Sequence, residues 1–133
     1  MSALHHLALT AADPSRSVPF YDRMLAPLGY RRTHADAALA VWEGPAPEIL
    51  LYTARPEHAG RRHVLYAPGL HHLAFRVADR AAVDRLHGEA LALGAAVLDP
   101  PAEYPHYAPG YYAVFLCDPD GLKLEFAHIP DAA

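Results

Sequence analysis

The stretch "LHHLALTAAD" occupies residues 4–13, and "LHHLAFRVAD" occupies residues 70–79. The two agree at seven of ten positions and begin 66 residues apart in a chain of 133. Repetition at half the chain length means one supersecondary unit used twice, here a module over 1–66 and a module over 67–133. Within each phrase the residues alternate in character, the period of a strand with one face on a core. Leu7 and Leu9 point one way, as do Leu73, Phe75 and Val77, while His6, Ala8 and Thr10, and His72, Ala74 and Arg76, point the other.

Each phrase ends on an aspartate, Asp13 or Asp79, placed as a helix N-cap. After Asp79, Val83, Leu86, Ala90 and Leu93 recur at helical spacing, and Gly94 supplies the stop. After Asp13, Val18, Tyr21, Met24, Leu25 and Leu28 do the same before Gly29. Pro19 predicts a late start or a kink near Ser17, since a proline past the first turn removes a hydrogen bond. Three strands should follow each helix, over 30–33, 38–43 and 49–54 in the first module and over 95–98, 111–116 and 123–127 in the second. Asp118-Pro119-Asp120-Gly121 makes the last two a hairpin. Residues 55–69 read as the linker between modules. The expected fold is therefore α+β, two tandem βαβββ modules.

Composition narrows the function classes. With 53% hydrophobic and 20% charged residues, the chain reads as one folded domain. No apolar run approaches the roughly 18 residues of a membrane span. A formal net charge of -4 offers no basic stripe, which argues against nucleic acid as a partner. The first residues carry no basic and apolar signal-like stretch, so a cytoplasmic location is expected. The single cysteine, Cys117, excludes a disulfide framework and is expected to be a buried core thiol. The ten histidines are the compositional oddity.

Parity on the last strand points to a site. If Leu122, Leu124 and Phe126 pack on the helices, then Lys123, Glu125 and Ala127 face the other way, the same side as His6 and His72. Two imidazoles and a carboxylate on otherwise small or polar strand faces suit one divalent ion: iron, manganese, zinc or nickel.

These residues carry a resemblance. The doubled His-Leu-Ala phrase ending in Asp, the paired βαβββ modules and the closing Asp118-Pro119-Asp120-Gly121 followed by Glu125 resemble the vicinal oxygen chelate superfamily, over essentially the whole chain. That superfamily contains glyoxalase I, fosfomycin-resistance enzymes, extradiol dioxygenases and bleomycin-resistance proteins. The resemblance implies that the modules form a curved mixed sheet around a cavity, cupping a metal and a small-molecule substrate, often in a homodimer with swapped modules. It assigns the metal ligands to His6, His72 and Glu125, leaving His5 and His71 partly exposed or capping.

Glyoxalase I uses a fourth ligand, a glutamate, where alignment of the modules puts Leu50. Glu48 shares the parity of Leu50 but lies two residues early. Isomerising a hemithioacetal needs a base to carry the proton, so strict glyoxalase I activity is disfavoured. The triad also suits iron(II) dioxygenases, whose resemblance implies an acid-base histidine and tyrosine. His106 and Tyr107 are the catalytic candidates, with Tyr104 and Tyr111 nearby in a Pro- and Tyr-rich loop that also reads as a self-packed rim. The same loop lacks the lysine and serine with which fosfomycin enzymes hold a phosphonate.

Parity lines the cavity with Ala8, Thr10, Ala74 and Ala113, with Arg76, Tyr111, Phe115 and Tyr52 as substrate-binding candidates, Leu50 near the metal and Trp42 as a wall. Arg76 suits a carboxylate or enolate oxygen equally with an acidic partner at the sheet rim, and Lys123 is expected at the solvent end. Two functions follow. One is a metal-dependent lyase, isomerase or dioxygenase that stabilises an enolate or oxyanion by Lewis acidity. The other is a bleomycin-resistance type binder of a small molecule or antibiotic, without turnover.

Overall fold

The computed structural model describes residues 2–130. It divides into two compact units between Arg62 and His63. Unit 1 contains β1 (His6–Ala11), α1 (Pro14–Leu25), β2 (Arg31–Ala35), β3 (Leu39–Glu43) and β4 (Glu48–Thr53). Unit 2 repeats the order with β5 (His72–Arg76), α2 (Arg80–Ala92), β6 (Val97–Glu103), β7 (Tyr112–Cys117) and β8 (Lys123–His128). The chain is α+β and carries two tandem βαβββ modules, each a four-stranded mixed sheet with one helix: β1-β4-β3-β2 and β5-β8-β7-β6. In each, the first strand runs parallel to the last and the other neighbours are antiparallel.

Alternation decides which face meets the helix. In unit 2, Phe75, Val114, Leu116, Leu124 and Phe126 are buried together with Val83, Leu86 and Ala90 of α2. In unit 1, Ala40, Trp42, Ile49 and Leu51 are buried together with Phe20, Tyr21, Met24 and Leu25 of α1. Both N-caps stand where the sequence puts them: Asp13 accepts from Ser15 N and Asp79 from Ala82 N. The hairpin between β7 and β8 is held by Asp118 Oδ1, which accepts from Asp120 N and Leu122 N at 2.9 Å each. Gly121 takes the left-handed φ of +86° that the turn requires.

Four expectations are corrected. Helix α1 starts at Pro14 and runs through Pro19. A proline at the first helical position loses no bond, and the one lost at Pro19 is outweighed by the buried apolar stripe from Phe20 to Leu25. Strand β6 continues to Glu103 across Pro100 and Pro101. It lies at a sheet edge and its register against β7 shifts twice, so the prolines fall where ladder bonds are interrupted. Trp42 is no cavity wall: it is 1% exposed, donates Nε1 to Asp22 Oδ1 at 2.9 Å and lies against Tyr21. Cys117, the last residue of β7, is partly rather than fully buried.

Candidate functional site

The face of the unit 2 sheet turned away from α2 carries a cleft of about 540 Å³. Its lining includes His72, Lys123 and Glu125 from β5 and β8, Phe115 from β7, Asp99 from β6, and Tyr104, Tyr107 and Tyr111 from the loop between β6 and β7. Glu125 sits on the inner strand β8, opposite Ala74 on β5 and Phe115 on β7. Glu125 is only 4% exposed. A buried carboxylate needs hydrogen-bond donors, and two are present. His72 Nε2 lies 3.2 Å from Oε1, and the Tyr111 hydroxyl donates to Oε2.

The loop tyrosines form a box over this pair. Tyr104 and Tyr107 stack with ring centroids 5.4 Å apart and planes 8° from parallel. Tyr111 meets both edge-on, and Phe115 meets Tyr104 and His72 edge-on. Burial, and then the bond to Glu125, pushes the Tyr111 phenol well above the usual tyrosine pKa. Tyr104 is raised by burial and then by the Asp99, Tyr107 and Glu125 charges. The positive member of the lining is Lys123, whose ammonium lies 4.8 Å over the Phe115 ring. His71 also lines the cleft, and desolvation, then His72, Lys123 and His63, hold its imidazole below the usual histidine pKa.

His72, Glu125, Tyr107, Tyr111 and Phe115 are thus brought together around one cleft. His106 has its ring 4.3 Å from that of Tyr107 and is not part of the lining. Arg76 shares the face of His72 further along β5 but does not line the cleft. In unit 1, His6 and Tyr52 lie on the face of their sheet opposite α1, with His6 in register with Glu48 and Tyr52 with Thr10. Ala8 pairs with Leu50 as Ala74 pairs with Glu125, so Leu50 occupies the place of Glu125 in the first copy. By the same register Glu48 corresponds to Lys123. Asp99 and His71 lie at the cleft although the sequence reading did not put them there, and Lys123, placed on this face by parity but expected at its solvent end, also lines it. The place of Asp99 depends on the bulged edge strand, which no local signal announces.

The His72 and Glu125 donor atoms suit a divalent ion. Their 3.2 Å separation lies between the ~3.0 Å of two ligands at right angles and the ~3.4 Å of two in a tetrahedron, for metal bonds of about 2.1 Å. Among the described residues no group of three or more His, Cys, Asp or Glu side chains is placed to hold a metal ion, and His72 with Glu125 is the pair in contact.

Comparison with known proteins agrees with this architecture. The family model described as the Glyoxalase/Bleomycin resistance protein/Dioxygenase superfamily matches residues 3–126. The uncharacterized protein YqjT of Bacillus subtilis (strain 168) is 28% identical over 122 residues, 92% of this chain and 95% of that one. Among solved structures, a putative glyoxalase from Bacillus halodurans superposes with a TM-score of 0.82 at 25% identity, covering 96% of both chains. A glyoxalase/bleomycin resistance protein from Albidiferax ferrireducens T118 gives 0.76 at 25% identity, over 97% of this chain and all of that one. A lactoylglutathione lyase from Agrobacterium tumefaciens shares the fold at 24% identity, with a TM-score of 0.67 over 96% of this chain and 94% of its own. With the family match running from the first strand to the last, this chain belongs to the Glyoxalase/Bleomycin resistance protein/Dioxygenase superfamily.

Proposed function

We propose that the protein is a glyoxalase-like, metal-dependent enzyme acting on a small oxygenated substrate, with His6, His72 and Glu125 holding one divalent ion. The observation that carries this reading is the His72–Glu125 pair, an imidazole and a nearly buried carboxylate 3.2 Å apart in an aromatic cleft. Iron, manganese, zinc and nickel all accept this donor chemistry. The ion supplies Lewis acidity toward neighbouring oxygens of the substrate.

The chain's own residues define the rest. Tyr111 orients Glu125 through Oε2 and leaves Oε1 toward His72. Tyr104, Tyr107 and Phe115 offer ring faces and edges to a flat substrate. Lys123 attracts an anionic oxygen, which favours an enolate or carboxylate over a neutral ligand. Tyr107 and His106, whose rings lie 4.3 Å apart, are the proton-handling candidates, with Tyr107 on the cleft wall. Arg76 and Tyr52 are the further substrate-binding candidates of this reading. Leu50 in the place of Glu125 disfavours hemithioacetal isomerisation, since it cannot carry a proton. A homodimer belongs to the same reading, and a single monomeric species in sedimentation velocity would remove that part.

A turnover screen tests the proposal. The iron(II)-loaded protein is assayed for oxygen uptake with catechols, and the zinc, manganese and nickel forms for lyase and isomerase activity on small α-hydroxy and α-keto compounds. Turnover that disappears in His72→Ala is expected. Saturable ligand binding with no turnover in any metal form would leave the bleomycin-resistance type of binder instead.

A further inference from the structure

The doubled histidines meet in the same way in both copies of the repeat. His5 Nδ1 lies 2.9 Å from His6 Nδ1, and His71 Nδ1 lies 2.7 Å from His72 Nδ1. The rings meet near edge-to-face in each pair, with centroids 5.2 and 4.9 Å apart. The first pair is exposed and the second is partly buried beside a cleft, so the shared geometry belongs to the dipeptide and not to its surroundings.

A bond between two Nδ1 atoms holds one proton. In a neutral pair one ring must therefore be the donor and the other the acceptor, with complementary tautomers. Turning either ring over would put a carbon where its nitrogen stands. On β5 the ring of His72 is fixed at its other end too, by Nε2 against Glu125 Oε1. His71 is itself held from outside by Tyr66, whose ring lies 4.7 Å away. Tyr66 takes a left-handed φ of +73°, a conformation that costs an aromatic residue on the order of 1 kcal/mol.

We propose that His71 is a positioning residue that sets the ring orientation and tautomer of His72, and that His5 does the same for His6. Each dipeptide thereby presents Nε2 of its second histidine as the donor atom. The inference rests on the metal-site reading above. With a cation on Nε2, His72 carries its proton on Nδ1 and donates it to Nδ1 of His71. With Nε2 protonated and donating to Glu125, the direction reverses and His71 is the donor. Between the two arrangements one proton leaves Nε2 of His72 for solvent and one is taken up by Nε2 of His71, so the pair stays neutral. The repeat therefore places an orienting partner beside each donor by sequence adjacency alone, where other folds recruit one from a separate element.

Zinc is the probe, because it is diamagnetic and has no redox chemistry. Its affinity is measured by competition with a chromophoric chelator for the wild type, His71→Ala and His71→Asn, with folding checked by far-ultraviolet circular dichroism. The Asn amide oxygen reaches about as far as Nδ1 and can accept from His72. The expected loss is roughly 10- to 100-fold in His71→Ala, with most of it recovered in His71→Asn. Equal affinity in wild type and His71→Ala, or an Asn variant no tighter than Ala, would overturn the proposal. Nitrogen-15 spectra of the metal-free protein separate this inference from the metal reading. His72 should show a single Nε2-protonated tautomer in the wild type and a mixture in His71→Ala. If the wild type binds no zinc, the metal reading fails while these spectra still decide the positioning role, and identical tautomer populations would end it.

Discussion

Removing the Tyr111 hydroxyl tests how the buried carboxylate is kept in place. Tyr111→Phe keeps the ring that meets Tyr104 and Tyr107 edge-on and deletes only the donor to Glu125 Oε2. A hydrogen bond to a charged acceptor contributes about 1.5–3 kcal/mol. Tyr111 is partly open to solvent, so water can replace part of it, and Glu125 keeps His72 at 3.2 Å. The expected loss is therefore at the low end, about 1.5 kcal/mol, or about 5 °C in melting temperature for a domain of this size. Urea and thermal unfolding of the metal-free protein at pH 7 read both quantities. Tyr107→Phe is the control: its residue is 57% exposed, so less than about 0.5 kcal/mol should be lost. Alkaline pH adds a second readout. Tyr111 and Tyr104 are raised chiefly by burial, Tyr30 by burial, and Tyr112 chiefly by its bond to Asp84. Above about pH 10 the unfolded phenols ionise while these keep their protons. The native state then binds more protons than the unfolded state, and stability falls as pH rises. Tyr111→Phe should flatten that fall. A variant as stable as the wild type at pH 7, with an unchanged alkaline slope, would refute the bond's role.

Further substitutions test the packing and turns of the two units. Phe126→Ala removes a fully buried ring stacked on Phe75 and should cost about 3–5 kcal/mol in urea unfolding. Asp118→Ala should cost about 1–3 kcal/mol by leaving Asp120 N and Leu122 N without their acceptor, whereas Asp118→Asn, which keeps an oxygen there, should retain most of the stability. Gly44→Ala would place a Cβ 2.6 Å from the Gly29 carbonyl oxygen and 2.9 Å from Tyr30 Cα, both backbone atoms. A loss of at least about 1–3 kcal/mol is expected, measured by thermal melting.

The repeat made the fold legible because each copy buries one strand face and one helix stripe, and both periods survive in the sequence. The same alternation separated His72 and Glu125 from the core, and the structure puts the two in contact. Elsewhere local signals were overruled. Pro100 and Pro101 argue against a strand, yet an edge position with shifted register accommodates them. Trp42 was read as a wall, but the indole finds both a core and the Asp22 acceptor beneath α1. Tyr111 was legible only as a cleft residue, since its bond to Glu125 depends on how the loop folds back over β8. His71 was set aside on parity, although the bond between adjacent rings does not require them to share a strand face.

The central claim is that His6, His72 and Glu125 hold a divalent ion. Its most direct test is the metal content of the purified protein after reconstitution with iron(II), manganese, zinc and nickel, by elemental mass spectrometry. The account expects about one equivalent of at least one metal, lost in each of His6→Ala, His72→Ala and Glu125→Gln while the fold persists. Less than about a tenth of an equivalent with every metal, or unchanged content in any of the three variants, would contradict it.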